Sequence, residues 1–232
     1  MKITYWSDYA CPYCYIGEAR LKKAIASVPE LGEVELEMKA FQLDPTAGEH
    51  PESDTQTRFA KKYGLTMEHA GRSVEHISRM GREEGLEFHY AETQFTNTMD
   101  AHRLTKLAQS KGDPALAQRV VDALFHAYFG ENKELADKTL LQQVGVSCGL
   151  EEGEVKALLD SDLYRDEVIL DEREAARYGI HAVPFFVIGK QGLSGAYPVE
   201  AMEQVLREAL ETLPPEPAAH GMQCGPDGCR LG

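Results

Sequence analysis

The stretch Lys2-Ile3-Thr4-Tyr5-Trp6-Ser7-Asp8-Tyr9-Ala10-Cys11-Pro12-Tyr13-Cys14-Tyr15-Ile16-Gly17 decides how the rest of the chain is read. Lys2 to Trp6 is rich in β-formers, and Ser7-Asp8-Tyr9-Ala10 is turn-prone. A helical pattern follows from about Pro12 to Val28, with Ile16, Leu21 and Ile25 forming an apolar stripe. Cys11 therefore falls at a strand-to-helix junction, and Pro12 suits the first helical turn, where its missing N–H has no partner to lose. From Glu33 to Phe41 the pattern alternates, with Val34, Leu36, Met38 and Ala40 on one face, which predicts a second strand parallel to the first. Strand, helix and strand make a βαβ unit.

Beyond it the periodicity turns helical, from Pro51 to about Tyr178. The pattern covers Thr55–Tyr63, Met67–Glu84, Thr98–Gln109, Ala115–Phe129, Lys138–Cys148, and Glu151–Leu159 plus Tyr164–Tyr178, a cap of five or six helices. β character returns in Val183–Gly189, followed by a turn Lys190-Gln191-Gly192 and a short run Leu193–Ala196 that predicts a hairpin. Pro198 opens a closing amphipathic helix, Val199 to Leu213, with Met202, Val205, Leu206 and Leu210 inward. The fold class is thus α/β, a sheet domain in two pieces (1–50 and 179–213) interrupted by a helical insertion (51–178). A proline-rich linker and a tail with Cys224 and Cys229 occupy 214–232.

The chain has 232 residues, of which 43% are hydrophobic and 27% charged, enough for a substantial core without disulfide support. No apolar run is long enough to span a bilayer, so no membrane partner is expected. The start, Met1-Lys2-Ile3-Thr4-Tyr5-Trp6-Ser7-Asp8, lacks the apolar core of a secretory signal, which predicts a cytoplasmic location. A formal net charge of −14 argues against nucleic acid, whose binding depends on Lys and Arg.

Cys11 and Cys14, two residues apart on a helical turn, have the spacing that thiol-disulfide exchange needs: one attacks as a thiolate, the other resolves the mixed disulfide. At the helix N-terminus, unpaired N–H groups favour negative charge on Cys11, the nucleophile, whereas Cys14 lies one turn inside and more buried. No cation flanks the pair in sequence. Half of a zinc site has the same spacing. The setting in a βαβ unit, matched downstream by Val183-Pro184 at the start of a strand, favours redox use, with no metal and no cofactor beyond the Cys11–Cys14 disulfide itself.

Ser7-Asp8-Tyr9-Ala10-Cys11-Pro12-Tyr13-Cys14-Tyr15-Ile16-Gly17, Asn97-Thr98-Met99-Asp100-Ala101-His102-Arg103-Leu104, Ala182-Val183-Pro184-Phe185-Phe186-Val187 and Gly195-Ala196-Tyr197-Pro198 together resemble the DsbA-like branch of the thioredoxin superfamily, within it the FrnE-like group. The resemblance covers about 1–212 and implies a thioredoxin-like fold with a large α-helical insertion. It implies an enzyme that reduces, oxidises or isomerises disulfides of proteins or peptides, together with a thiol reductant or oxidant that the motifs do not identify. It also implies a cis Val183–Pro184 bond facing the pair, with the backbone of Val183 offered to an extended substrate. His102 is either a modulator of Cys11 placed over the site or an ordinary core or helix-surface histidine. Tyr9, Tyr13 and Tyr15 are candidates for a substrate groove, Tyr13 foremost, unless they pack against the insertion.

Cys224-Gly225-Pro226-Asp227-Gly228-Cys229 surrounds a turn that brings two thiols together, and FrnE-like proteins sometimes carry such a tail. It is a candidate relay exchanging with Cys11–Cys14, or else a simple staple. Cys148, before a helix-stopping Gly149, is expected to be buried and inert. Two further readings remain. Cys-Pro-Tyr-Cys is also typical of glutaredoxins, which are shorter and lack the insertion; kappa-class glutathione transferases and hydroxychromene-carboxylate isomerases usually have Ser at the position of Cys11. The other is a redox-responsive binding protein that holds clients at Val183-Pro184.

Overall fold

Four strands, β1 (Lys2–Ser7), β2 (Glu35–Ala40), β3 (Phe185–Ile188) and β4 (Gln191–Ser194), form a sheet of order β2-β1-β3-β4 in the computed structural model, which describes residues 1–212 and the backbone of 223–225 and 228–230. β1 pairs in parallel with β2, Ile3 opposite Leu36 and Tyr5 opposite Met38, as the alternating pattern predicts. A parallel pair needs a crossover, and α1 (Pro12–Ala26) supplies it. α1 buries Cys14, Gly17, Leu21 and Ala24, and packs against α9 (Val199–Thr212), whose Met202, Leu206 and Ala209 are buried.

The insertion contains seven helices rather than five or six: α2 (Thr55–Tyr63), α3 (Met67–Glu83), α4 (Met99–Gln109), α5 (Pro114–Phe129), α6 (Lys138–Cys148), α7 (Glu152–Leu159) and α8 (Arg165–Arg177). The difference lies between α7 and α8, where Tyr164 takes a left-handed φ of +63° that no continuous helix tolerates. Most other boundaries follow from capping chemistry. Asp54, Thr66, Asp113 and Asp137 accept backbone N–H groups at the starts of α2, α3, α5 and α6, and Gly64 and Gly149 end α2 and α6 in the left-handed region.

The hairpin is tighter than its sequence suggests. Gly189 (φ +60°) permits a two-residue turn with Lys190, so Gln191 and Gly192 belong to β4. Past Ser194 the Gly195 N–H still donates to the Pro184 carbonyl at 2.8 Å, but Pro184 has no N–H to return and Gly195 (φ +111°) turns the chain away. Sheet and insertion share one continuous core, in which Ile3, Tyr5, Leu21 and Phe186 meet Phe88, Leu104, Phe125 and Phe129. The site described next lies at that junction.

Residues 213–222 lie outside the described residues. In the tail, β5 (Gln223–Gly225) and β6 (Gly228–Arg230) pair antiparallel with Cys224 opposite Cys229. The side chains of both cysteines lie outside the described residues, and with them the expected exchange with Cys11–Cys14.

Candidate active site

Where β1 ends, one fully buried carboxylate organises the turn into α1. Asp8 Oδ2 accepts the Leu43 N–H at 2.8 Å, and Oδ1 accepts the Ala10 N–H at 3.4 Å and faces His102 Nε2 at 3.3 Å. Its carbonyl accepts the Cys11 N–H at 3.0 Å. Asp8 thus ties the turn to the segment after β2 and to α4. His102, 1% exposed, lies in the core, packs on the Tyr9 ring at 5.0 Å and meets the turn through Asp8.

Cys11 occupies the N-cap of α1 with extended backbone (φ −90°, ψ 112°) and no capping side chain, followed by Pro12 in the first turn. Nothing but the thiol stands at the helix end, where free N–H groups and the helix dipole favour negative charge. Its Sγ donates to the Val183 carbonyl at 3.5 Å. Both thiols are buried, Cys11 at 4% and Cys14 at 1% exposure, but Cys14 lies inside the helix rather than at its cap. Burial pushes its thiol well above its ordinary value, Cys11 beside it pushes further, and Ser7 and the Asp8 backbone offset part of the rise. The structure holds the two as free thiols.

The Val183–Pro184 bond is cis. Pro184 is buried against α1 where a side chain at residue 17 would be crowded: a Cβ on Gly17 would come within 3.1 Å of Pro184 Cγ and 3.2 Å of Phe186 Cζ. Gly17 therefore sets how closely the cysteine helix approaches the Val183-Pro184 loop. The Val183 carbonyl faces Cys11, and its N–H donates to no described acceptor. Of the flanking tyrosines, Tyr9 is fully buried, and Tyr15 stacks on Phe125 with centroids 5.0 Å apart. Tyr13, 39% exposed, is the most exposed of the three, with Tyr15 half-buried.

The insertion adds groups that no local motif announces. Tyr90 is buried, with its hydroxyl pushed up by burial and further by the charge of Cys11, and Tyr63, 55% exposed, bears on Tyr13. Their sequence distance from Cys11 hides them. Cys148 departs from expectation: at the end of α6 it is half-exposed because its turn lies at the surface, and its Sγ donates to the Arg119 carbonyl at 3.5 Å. Partial burial pushes its thiol up as well. Among the described residues, no group of three or more His, Cys, Asp or Glu side chains forms a metal-binding cluster, and no helix is long and apolar enough to cross a membrane.

A Cys-x-x-Cys pair at a helix N-terminus, facing a cis-proline loop on this sheet, has the layout of the DsbA-like branch of the thioredoxin fold. Residues 2–207 match the DSBA-like thioredoxin domain, and the chain belongs to that family of oxidoreductases. It is similar to a probable DsbA oxidoreductase from Streptomyces coelicolor, 35% identical, with a TM-score of 0.85 over 100% of this chain and 99% of the other. A Bacillus subtilis protein, YwbO, is 25% identical over 220 residues, covering 89% of this chain and 96% of its own length. A 2-hydroxychromene-2-carboxylate isomerase, 15% identical, shares the fold with a TM-score of 0.65 over 92% of this chain and 100% of its own.

Proposed function

We propose that the chain, a member of the FrnE-like group within its family, catalyses thiol-disulfide exchange on protein or peptide disulfides, with Cys11 as nucleophile and Cys14 as resolving thiol. The observation that carries this reading is the inequality of the pair: Cys11, itself only 4% exposed, stands at the helix N-cap beside Val183 with no capping side chain, and Cys14, one turn inside, is held as a thiol by burial and by Cys11. The Cys11 thiolate attacks one sulfur of the substrate disulfide, forming a mixed disulfide and releasing the other half as a thiolate that takes a proton. Cys14 then gives up its proton and attacks Cys11 Sγ, releasing the second half and closing the Cys11–Cys14 disulfide. Two electrons pass from the pair to the substrate, and an external thiol reductant restores the dithiol. In a cytoplasmic setting the poise favours reduction or isomerisation over net oxidation. An extended substrate strand fits the free Val183 N–H, with Tyr13 as its apolar neighbour.

Turnover of a protein disulfide with a dithiol reductant tests the reading. Cys11→Ser is expected to fall to background, and Cys14→Ser to stop at a mixed disulfide on Cys11. Turnover by Cys11→Ser would overturn it, and intact client holding by that variant would favour a binding protein instead. The direct cross-strand register of Cys224 and Cys229 fits a mutual disulfide, which a relay role for the tail pair requires. Changing both to Ser should slow multiple turnover while sparing the first; unchanged kinetics would sink the relay.

A further inference from the structure

Arg58 is the sheltered cation that the described ion pairs leave over. Among the described residues, the Lys and Arg residues that are half-buried or buried are Arg20, Lys22, Lys39, Arg58, Arg103 and Lys106. All but Arg58 have a carboxylate partner: Arg20 has Glu84, Lys22 has Glu18 and Asp122, Lys39 has Glu174, Arg103 has Asp100, and Lys106 has Asp171. Holding a cation partly out of water without a counter-charge is unfavourable. The chain has 38 acidic side chains, so the missing partner is not a shortage of carboxylates.

The guanidinium is held in place without being satisfied. Its Cζ lies 3.8 Å from the centroid of the Phe95 ring, and its Nε is shielded from solvent with no acceptor. α2, which carries it, is fastened to the 90–95 segment by the Thr55 hydroxyl, which donates to the Thr93 carbonyl at 3.0 Å. The charge of Arg58 reaches the hydroxyls of Tyr90 and Tyr128 and offsets part of the rise that burial gives them, and the charge of Cys11 reaches Tyr90 as well. A planar, stacked, unpaired guanidinium matches the two oxygens of a carboxylate, and a tyrosine hydroxyl beside it can add a donor.

We propose that Arg58 binds a carboxylate that the disulfide substrate brings to the site, either on a small thiol joined to the target cysteine or on an acidic residue next to that cysteine. This rests on Cys11 being the nucleophile, as above. In the small-thiol case, the Cys11 thiolate attacks the sulfur of the carboxylate-bearing half while Arg58 holds that half. The target cysteine leaves as a thiolate and is protonated, and Cys14 then displaces the small thiol as the Cys11–Cys14 disulfide closes. An external dithiol supplies the two electrons for the next cycle.

The test compares one reporter peptide as its mixed disulfide with glutathione, which carries carboxylates, and with 2-mercaptoethanol, which does not. A third probe carries an acidic residue beside the cysteine of the mercaptoethanol disulfide. Arg58→Met keeps the packing on Phe95 and removes the charge, Arg58→Lys keeps a charge without the fork, and melting curves establish that both fold. From wild type to Arg58→Met, the kcat/KM ratio of carboxylate probe to neutral probe is expected to fall about tenfold, with Arg58→Lys between, and the wild-type preference to shrink with added salt. A fall confined to glutathione assigns the small-thiol source, and one confined to the acidic peptide assigns the protein source. An unchanged ratio for both overturns the assignment of Arg58 alone. A wild type that turns over no probe overturns the dithiol reading and this one with it.

Discussion

Cys14 owes its role to where it sits, one turn into α1 with its thiol neutralised by burial. A group whose value is raised on folding stabilises the fold fully below its unfolded value, here near 9, and that stability is lost as pH rises toward the raised one. Reduced wild type should therefore lose stability above about pH 9 more steeply than reduced Cys14→Ala, by up to about 1.4 kcal/mol per pH unit. Urea unfolding at a series of pH values checks this, and parallel curves would count against it. Asp8 is the other residue whose removal is costly. Asp8→Ala leaves the Leu43 and Ala10 N–H groups and His102 Nε2 without their acceptor, so a loss of about 3 kcal/mol is expected in the same assay. A variant within experimental error of wild type would show that Asp8 does not hold the turn.

Among the elements, α1 and the Val183-Pro184 loop have to approach closely, and Gly17 lets them. Gly17→Val would force side-chain atoms against Pro184, Phe186 and Ala196, costing about 2 kcal/mol and moving Cys11 from Val183. Melting temperature and turnover should fall together, and an unaffected enzyme would contradict the close-approach reading. Elements of this kind were legible where chemistry is local. The βαβ unit, the helical stretches beginning at Thr55 and Met67 and the stop at Gly149 place most boundaries within a residue or two. The left-handed Tyr164 and the two-residue turn at Gly189 escape a periodicity reading, because each is decided by one backbone angle. Facing is harder still. Tyr9, Tyr13 and Tyr15 read alike in sequence, yet Tyr13 is the most exposed, because α5 covers part of Tyr15 and Tyr9 packs under the turn against His102 and Phe125. His102 and Arg58 come from helices far from Cys11 in the chain, and only packing fixes whether they reach the site.

At the scale of the whole molecule, the continuous core explains why a site built from segments as distant as Cys11, Tyr90 and Val183 stays assembled. The molecule is acidic, with a net charge of −14, and the carboxylate-directed Arg58 is a local exception to that field. The central claim is that Cys11 and Cys14 form one redox couple. Its most direct measurement equilibrates the full chain across a series of dithiol/disulfide buffers, quenches in acid, alkylates in denaturant and maps the labelled peptides. Cys11 and Cys14 are expected to pass together from alkylated thiols to a mutual disulfide in a single two-electron transition, while Cys148 stays labelled throughout. Cys11 and Cys14 remaining thiols across the whole range, or titrating independently of each other, would contradict the claim.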